Sequence, residues 1–351
     1  MLCLPAVSYA RALTYPGNAS VAVRTVEWIR DHNGSVIINT LENWKYSRNA
    51  PPSTGTPAGS ALPPSVAAPP APDPASGPSS VALVSGPPLP GEGQWQSASA
   101  GSSPAPLYMT FFRPDPQHPT VLVGAALFPH QRSQLHLNAG TREPVAGVTP
   151  AERAQVPVAD RAALVATFNG GFKTADARGG WYASGHALVP LVDGAASVVI
   201  NRDGTASIGQ WGRDVSMTSQ VAAVRQNLAM IVENGQPVNG LTSNAQGRWG
   251  SAKNQYQYTW RSGLGQNAAG DLVYVAGDKL TLVGLAQALT RAGATRGMQL
   301  DIHSSMVSFN AFGSAHGQPR TLLPGMAQSA RRYLAPDQRD FFYVTLPAQS
   351  R

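Results

Sequence analysis

The tract from Ala50 to Pro106 decides how this chain can fold. It consists of Pro, Ala, Ser and Gly with almost no charge and few large apolar side chains. Such a stretch buries too little surface to offset its chain entropy. It reads as an extended, flexible linker over residues 49–106, in which Val81 to Val84 form too short an apolar run to found a core. The 42% hydrophobic content of the 351 residues is therefore concentrated on either side: a small unit over residues 1–48 and a domain over residues 107–348.

Periodicity assigns the elements. In the first unit Asn18 or Ser20 caps a helix over Val21 to His32, whose Val23, Val26 and Ile29 recur at helical spacing; Gly34 ends it before the strand-like Val36, Ile37 and Ile38. Residues 39–46 are aromatic and polar, suited to packing on that helix or on the domain. In the domain, Leu107–Arg113, Thr120–Ala126 and Gln134–Leu137 read as strands. Asp193-Gly194 and Asp203-Gly204, set between Ala187–Val192, Ser197–Ile200 and Thr205–Ile208, predict an antiparallel meander, and Asn234-Gly235 predicts a further hairpin. Leu272–Ala276, a helix capped by Thr281 with Leu282, Leu285, Ala286 and Leu289 on one face, and Gly297–Asp301 form a β-α-β unit with parallel strands and a right-handed crossover. Phe341–Thr345 closes the domain. The expected fold is α+β: a mostly antiparallel mixed sheet with an embedded β-α-β crossover, preceded by a small helical unit and a disordered linker.

Charge narrows the partners. The 26 Lys and Arg against 19 Asp and Glu give a net charge of +7, carried mostly by arginine, whose planar fork grips phosphate and carboxylate. No basic run, finger spacing or aromatic-rich basic strand accompanies it, which argues against a nucleic-acid partner. The single cysteine, Cys3, excludes an intrachain disulfide framework and a multi-cysteine metal site. No apolar run approaches the ~20 residues of a membrane span, and the first residues lack the charged start and apolar core of a signal peptide.

Several residues could carry chemistry. The apolar run Ala163 to Phe168 emerges into Asn169-Gly170-Gly171-Phe172, where the lack of a Cβ on Gly170 and Gly171 lets a ligand meet main-chain N–H groups and the Asn169 amide both donates and accepts. Asn-Gly is equally a common hairpin signal. Lys173 adds a positive charge. Asp301 lies at the carboxyl end of its strand, where open α/β sheets place ligands, and His303 is two residues on, the same face if the strand continues. The pair offers acid and base; a strand-end Asp capping backbone beside a partly buried His would read the same way. Arg261, after Tyr258-Thr259-Trp260 and before Gly263 and Gly265, suits a bidentate grip on phosphate or a surface salt bridge. Asp301, His303 and His186 have no recognised metal-ligand spacing and no G-x-S-x-G elbow is present, so neither a metal nor a cofactor is called for.

The order of these pieces, from Asn169-Gly170-Gly171-Phe172 through Gly179-Gly180 and Arg261 to the Leu300-Asp301 strand, resembles the phosphodiester glycosidase family over about residues 107–346. Where that family reads Leu-Asp-Gly-Gly-Gly-Ser, this chain has Leu300-Asp301-Ile302-His303-Ser304-Ser305, keeping Asp301 and Ser305 by position and replacing three glycines. The resemblance implies a hydrolase of sugar-1-phosphodiester bonds in a cell-surface glycan or glycopolymer. Arg261 would neutralise the phosphate, and Asp301 would stabilise the oxocarbenium-like centre or activate water. Asn169, Gly170, Gly171, Phe172, Lys173 and Ser305 would hold substrate, with His303 a polar contact particular to this chain. The implied partner is a carbohydrate phosphodiester or an anionic glycopolymer. Loss of the glycine run motivates an alternative, a catalytically weak or inactive glycopolymer-binding domain tethered at the cell surface. The resemblance also implies a location outside the cytoplasm, secreted or held by a membrane tether upstream of Met1.

Overall fold

The computed structural model describes residues 3–14, 20–63, 77–98, 104–250, 254–313 and 318–347. Helices α1 (Cys3–Thr14), α2 (Val21–Ile29) and α3 (Ser35–Ser47) come first. After them come β1 (Gln96–Ser97), β2 (Tyr108–Phe112), β3 (Val123–Phe128), β4 (Gln134–Asn138), β5 (Leu164–Asn169) and the single-turn α4 (Thr174–Ala177). The middle of the chain forms β6 (Trp181–Ala183), β7 (His186–Val189), β8 (Ala196–Asn201), β9 (Ala206–Gln210), β10 (Val221–Gln226), β11 (Met230–Glu233) and β12 (Gln236–Pro237). The last part forms β13 (Thr259–Gln266), β14 (Leu272–Leu280), α5 (Leu282–Arg291), β15 (Arg296–Ile302), β16 (Phe309–Ala311), β17 (Arg320–Thr321) and β18 (Phe341–Thr345).

The strands make three sheets, in the orders β1-β2-β3-β14-β13-β15-β11-β12, β7-β6-β10-β8-β9 and β17-β16-β5-β18-β4. Phe128, Leu264, Tyr274 and Met298 of the first sheet, Val198 and Ile208 of the second, and Phe168, Phe309 and Phe342 of the third share one core. The other face of the first sheet packs on α5. Helix α5 forms as its sequence directs: Thr281 Oγ1 accepts a hydrogen bond from Gly284 N at 3.1 Å, Leu282, Leu285, Ala286 and Leu289 are buried, and Gly293 leaves the helix at φ +97°. β14 and β15 each run antiparallel to β13, which lies between them. They are therefore parallel to one another, and the expected crossover steps over one intervening strand. The α+β class with mostly antiparallel pairing stands.

Three local expectations change. Val36, Ile37 and Ile38 are helical, inside α3, with Val36 and Ile37 exposed and Ile38 buried. A helix turns only one of three consecutive residues inward, and α3 is held by the domain: Tyr258 N donates to Tyr46 O at 3.1 Å and Gln257 Nε2 to Asn43 Oδ1 at 2.6 Å. Asp203-Gly204 joins neighbouring β8 and β9, and Asn234-Gly235 joins β11 to β12 with both residues left-handed. Asp193-Gly194, however, turns between β7 and β8, which do not pair. Residues 81–98 of the supposed linker are packed on the domain. Val81 and Trp95 are buried, β1 pairs with β2, and Glu92 accepts from Arg113 Nε at 2.9 Å and Nη2 at 2.8 Å. One ion pair and one tryptophan anchor a stretch whose average composition hides them; the tract's residues 64–76 and 99–103 lie outside the described residues. Among the described residues no helix is long and apolar enough to cross a membrane.

Candidate active site

β5 and β18 are antiparallel, with Asn169 opposite Phe341. That register carries Arg339 and Asp340, which precede β18, to the corner formed by Gly170 and Gly171. Arg339 Nη2 donates to Gly171 O and to Asp301 Oδ2, both at 3.0 Å. The second carboxylate oxygen, Asp301 Oδ1, accepts from Ile302 N at 2.8 Å. Asp301 is only 6% exposed. Burial pushes its carboxyl up to about 7, with Arg339 opposing that shift. Burial alone would lower Arg339, but the carboxylates of Asp301, Glu27, Glu143 and Asp340 outweigh it and hold the guanidinium above its ordinary value. Asp301, Arg339, His303, Phe172, Lys173 and Arg178 line a cavity of about 800 Å³, which α2 and α3 roof with Glu27, Glu42 and Tyr46 among others, with Arg30 from the turn between the two helices.

His303 reaches this cavity by an unexpected route. β15 stops at Ile302, and His303 adopts φ +73°, a left-handed conformation that costs a non-glycine residue about 1–2 kcal/mol. A glycine would adopt that conformation at no such cost. The imidazole is fixed instead by its contacts: Nδ1 lies 3.0 Å from Thr259 Oγ1, Nε2 lies 3.4 Å from Glu42 Oε2, and the ring stacks on Tyr46 at 4.8 Å. Burial raises the Glu42 carboxyl, but His303 and Arg30 outweigh it and hold Glu42 below the usual carboxylate range. Asp301 and His303 thus share a cavity through a turn rather than through strand alternation.

Four expected ligand contacts prove to be structural: Arg261, Asn169, Gly170 and Gly171. Arg261 is fully buried, its Nε donating to Leu280 O at 2.8 Å, Nη1 to Gln299 Oε1 at 2.8 Å and Nη2 to Gln257 O at 3.2 Å. Burial pulls its pKa down to about 9. Neighbours on a strand point to opposite faces, so Ser262 turns to the seam, against Asn169 and the Asp301 carbonyl, and Arg261 faces away; the cation that meets the Asp301 carboxylate is Arg339. Asn169 is spent on the seam between two sheets. Its Nδ2 donates to Gly170 O at 2.8 Å and to Ser262 Oγ at 3.0 Å, while Oδ1 accepts from Tyr274 OH at 3.0 Å and from Ser308 N at 3.1 Å.

The glycines serve packing, not ligand approach. A Cβ on Gly170 would sit 2.7 Å from Asp340 O and 2.8 Å from Asp340 Oδ2, and one on Gly171 would sit 2.9 Å from Asn227 Oδ1. Gly170→Ala is therefore expected to destabilise the fold by about 1–3 kcal/mol, read as a lowered denaturation midpoint at unchanged slope. Phe172, Lys173 and Ser305 do line the cavity, and Ser305 O accepts from Gln328 Nε2 at 2.8 Å. His186 is exposed on β7, and among the described residues no group of three His, Cys, Asp or Glu side chains could hold a metal ion.

Two participants escaped the sequence reading. Arg339 is one. The other is the buried pair Arg225 and Asp340, with Nε to Oδ2 at 2.6 Å; Arg225 Nη2 also donates to Phe172 O and so braces the cavity wall. The adjacent Arg339 and Asp340, set directly before an apolar strand that pairs with β5, were the available signal.

Residues 162–319 match the model of the phosphodiester glycosidase family. No curated protein matches the chain. Among solved structures, the chain is similar to the zebrafish N-acetylglucosamine-1-phosphodiester alpha-N-acetylglucosaminidase catalytic domain auto-inhibited by its pro-peptide, at 16% identity and a TM-score of 0.44 over 73% of this chain and 88% of that one. A hypothetical protein from Synechocystis is similar at 14% identity and a TM-score of 0.37, over 64% of this chain and 59% of that one. The matched segment, 162–319, contains the β5 corner, Asp301 and His303, so the likeness to the phosphodiester glycosidase family covers most of the candidate site.

Proposed function

We propose that the protein hydrolyses a sugar-1-phosphodiester bond in an anionic surface glycan or glycopolymer, with Asp301 as the base that activates water and Arg339 as the cation facing the departing phosphate. The observation that carries this reading is the Asp301–Arg339 pair, 3.0 Å apart, in the wall of a cavity of about 800 Å³ that also holds Lys173 and Arg178. A phosphate monoester is already a stable anion when it leaves, so the reaction needs little acid assistance, and cationic groups placed around the phosphate stabilise the charge it develops. The attacking water does need a base. Asp301, raised to about 7 by burial, is suited to take its proton near neutral pH. Phe172 provides an apolar wall and Ser305 a polar one. The test is release of free sugar from a sugar-1-phosphodiester by the wild type and by Asp301→Ala. Turnover abolished by the substitution supports the assignment; binding without turnover in either protein returns the tethered binding domain.

This reading sets a pH dependence. The base works ionised, so kcat/KM is expected to rise with pH through about 7 and then level off. Stability runs the other way. A carboxyl at about 7 in the fold and 3.8 as its ordinary value binds its proton more tightly folded than unfolded, so its contribution to stability falls as pH rises between those values. Asp301→Asn is expected to remove that slope, measured by chemical denaturation at several pH values.

An extracytoplasmic location belongs to the same proposal. It is supported by the Pro, Ala, Ser and Gly composition of residues 50–80, ahead of the stretch that packs on the domain, a composition suited to spacing a domain from an anchor. Fractionation of cells expressing the protein tests it.

A further inference from the structure

Two basic side chains from separate parts of the domain converge beside the Asp301 cavity. Lys173 follows Phe172 and lines that cavity. Arg142 lies in the loop after β4, where Arg142 N donates to Gln338 O and Thr141 N to Asp337 O, both at 3.0 Å, so its backbone is tied to the segment that carries Arg339. The carboxylates these cations meet come from the N-terminal unit. Asp31 accepts from Arg142 Nη2 at 2.6 Å and from Lys173 Nζ at 3.2 Å, and Glu27, one helical turn earlier, also pairs with Lys173. Glu27, Asp31 and Glu42 are the acidic residues of residues 1–48, and each faces a basic group of the domain, Lys173, Arg142 or His303.

We propose that Arg142 and Lys173 form an anion subsite for a second phosphate of the substrate, one unit away from the bond that is cleaved, and that Asp31 and Glu27 occupy it in the free chain. The proposal rests on the hydrolase reading of the Asp301 cavity and narrows its substrate: a phosphodiester-linked polymer with a phosphate on the neighbouring unit, rather than an isolated sugar phosphodiester. A guanidinium and an ammonium converging on one oxyanion make a phosphate clamp. The carboxylates that fill it are in partly exposed pairs, with side-chain exposures of 17% to 33%. Such pairs are weak and screened by salt, so a polyanion can displace them.

Calorimetric titration of the full chain with inorganic tripolyphosphate tests this, with inorganic phosphate as the single-phosphate control. Replacing Glu27 by Gln and Asp31 by Asn together is expected to tighten tripolyphosphate binding about tenfold, and adding Arg142→Gln to that variant is expected to reverse the gain, while Arg142→Lys keeps most of it. Unchanged affinity when the two carboxylates are removed, or Arg142→Gln without effect, overturns the subsite. Binding that does not distinguish tripolyphosphate from phosphate overturns the polymer assignment. Because the titration requires no turnover, a protein that binds tripolyphosphate in this pattern but releases no sugar sinks the hydrolase reading alone. One that releases sugar while Arg142→Gln is silent sinks the subsite alone.

Discussion

Asp301→Asn is expected to lower kcat/KM for a sugar-1-phosphodiester by about 10²- to 10⁴-fold, the usual contribution of a positioned base. The amide keeps the carboxylate's shape and one oxygen able to accept from Ile302 N or Arg339 Nη2, so the loss isolates proton transfer. The parallel substitution Arg261→Met should leave the chemistry of any folded protein intact, since that guanidinium bonds to Leu280 O, Gln257 O and Gln299 Oε1 in the core; its effect belongs to stability. Steady-state kinetics on the two purified variants separates the roles. More than a tenth of wild-type activity in Asp301→Asn would remove Asp301 as the base.

Asp340→Ala is expected to give the largest loss of stability, about 3–5 kcal/mol, because it leaves the Arg225 guanidinium buried without its counter-charge. Both side chains are fully buried. Arg225 Nε and Nη2 face the two Asp340 oxygens at 2.6 and 3.4 Å, and Nη1 donates to Gln226 O at 2.6 Å. Replacing both partners with apolar residues, Arg225→Met with Asp340→Leu, should cost much less than either single change, since no stranded charge remains. Urea denaturation of the three variants checks this. Additive losses in the double variant would show that the pair is not an energetic unit. Since Arg225 also holds Phe172 O, Asp340→Ala should loosen the cavity wall and depress kcat/KM even where the protein remains folded.

The elements were largely legible from residue order because their signals are local. Alternation and apolar runs mark β5, β15 and β18, and Thr281 and Gly293 bracket α5 at the positions where backbone groups need a cap or a positive φ. The same logic failed where a neighbour supplied the deciding energy. Val36, Ile37 and Ile38 look extended when read alone but join a helix that docks through Tyr46 and Asn43, and residues 81–98 look structureless until Glu92 meets Arg113.

The site divides along the same line. That Asp301 ends a buried strand, and that Phe172 and Lys173 leave another, follows from patterns within a few residues, and both ends meet in one cavity. Which polar groups face that cavity was a tertiary decision. A strand has two faces, and only the sheets stacked on either side determine that Ser262 points to the seam while Arg261 is sealed in the core. Likewise Arg339 becomes the cation beside Asp301 only through the antiparallel register of β18 against β5, and α2 and α3 bring Glu27 and Glu42 over the cleft from more than a hundred residues away in sequence. Residue order determined where the chain ends its strands; packing decided which charges those ends confront, because pairing partners and burial are properties of distant segments brought together.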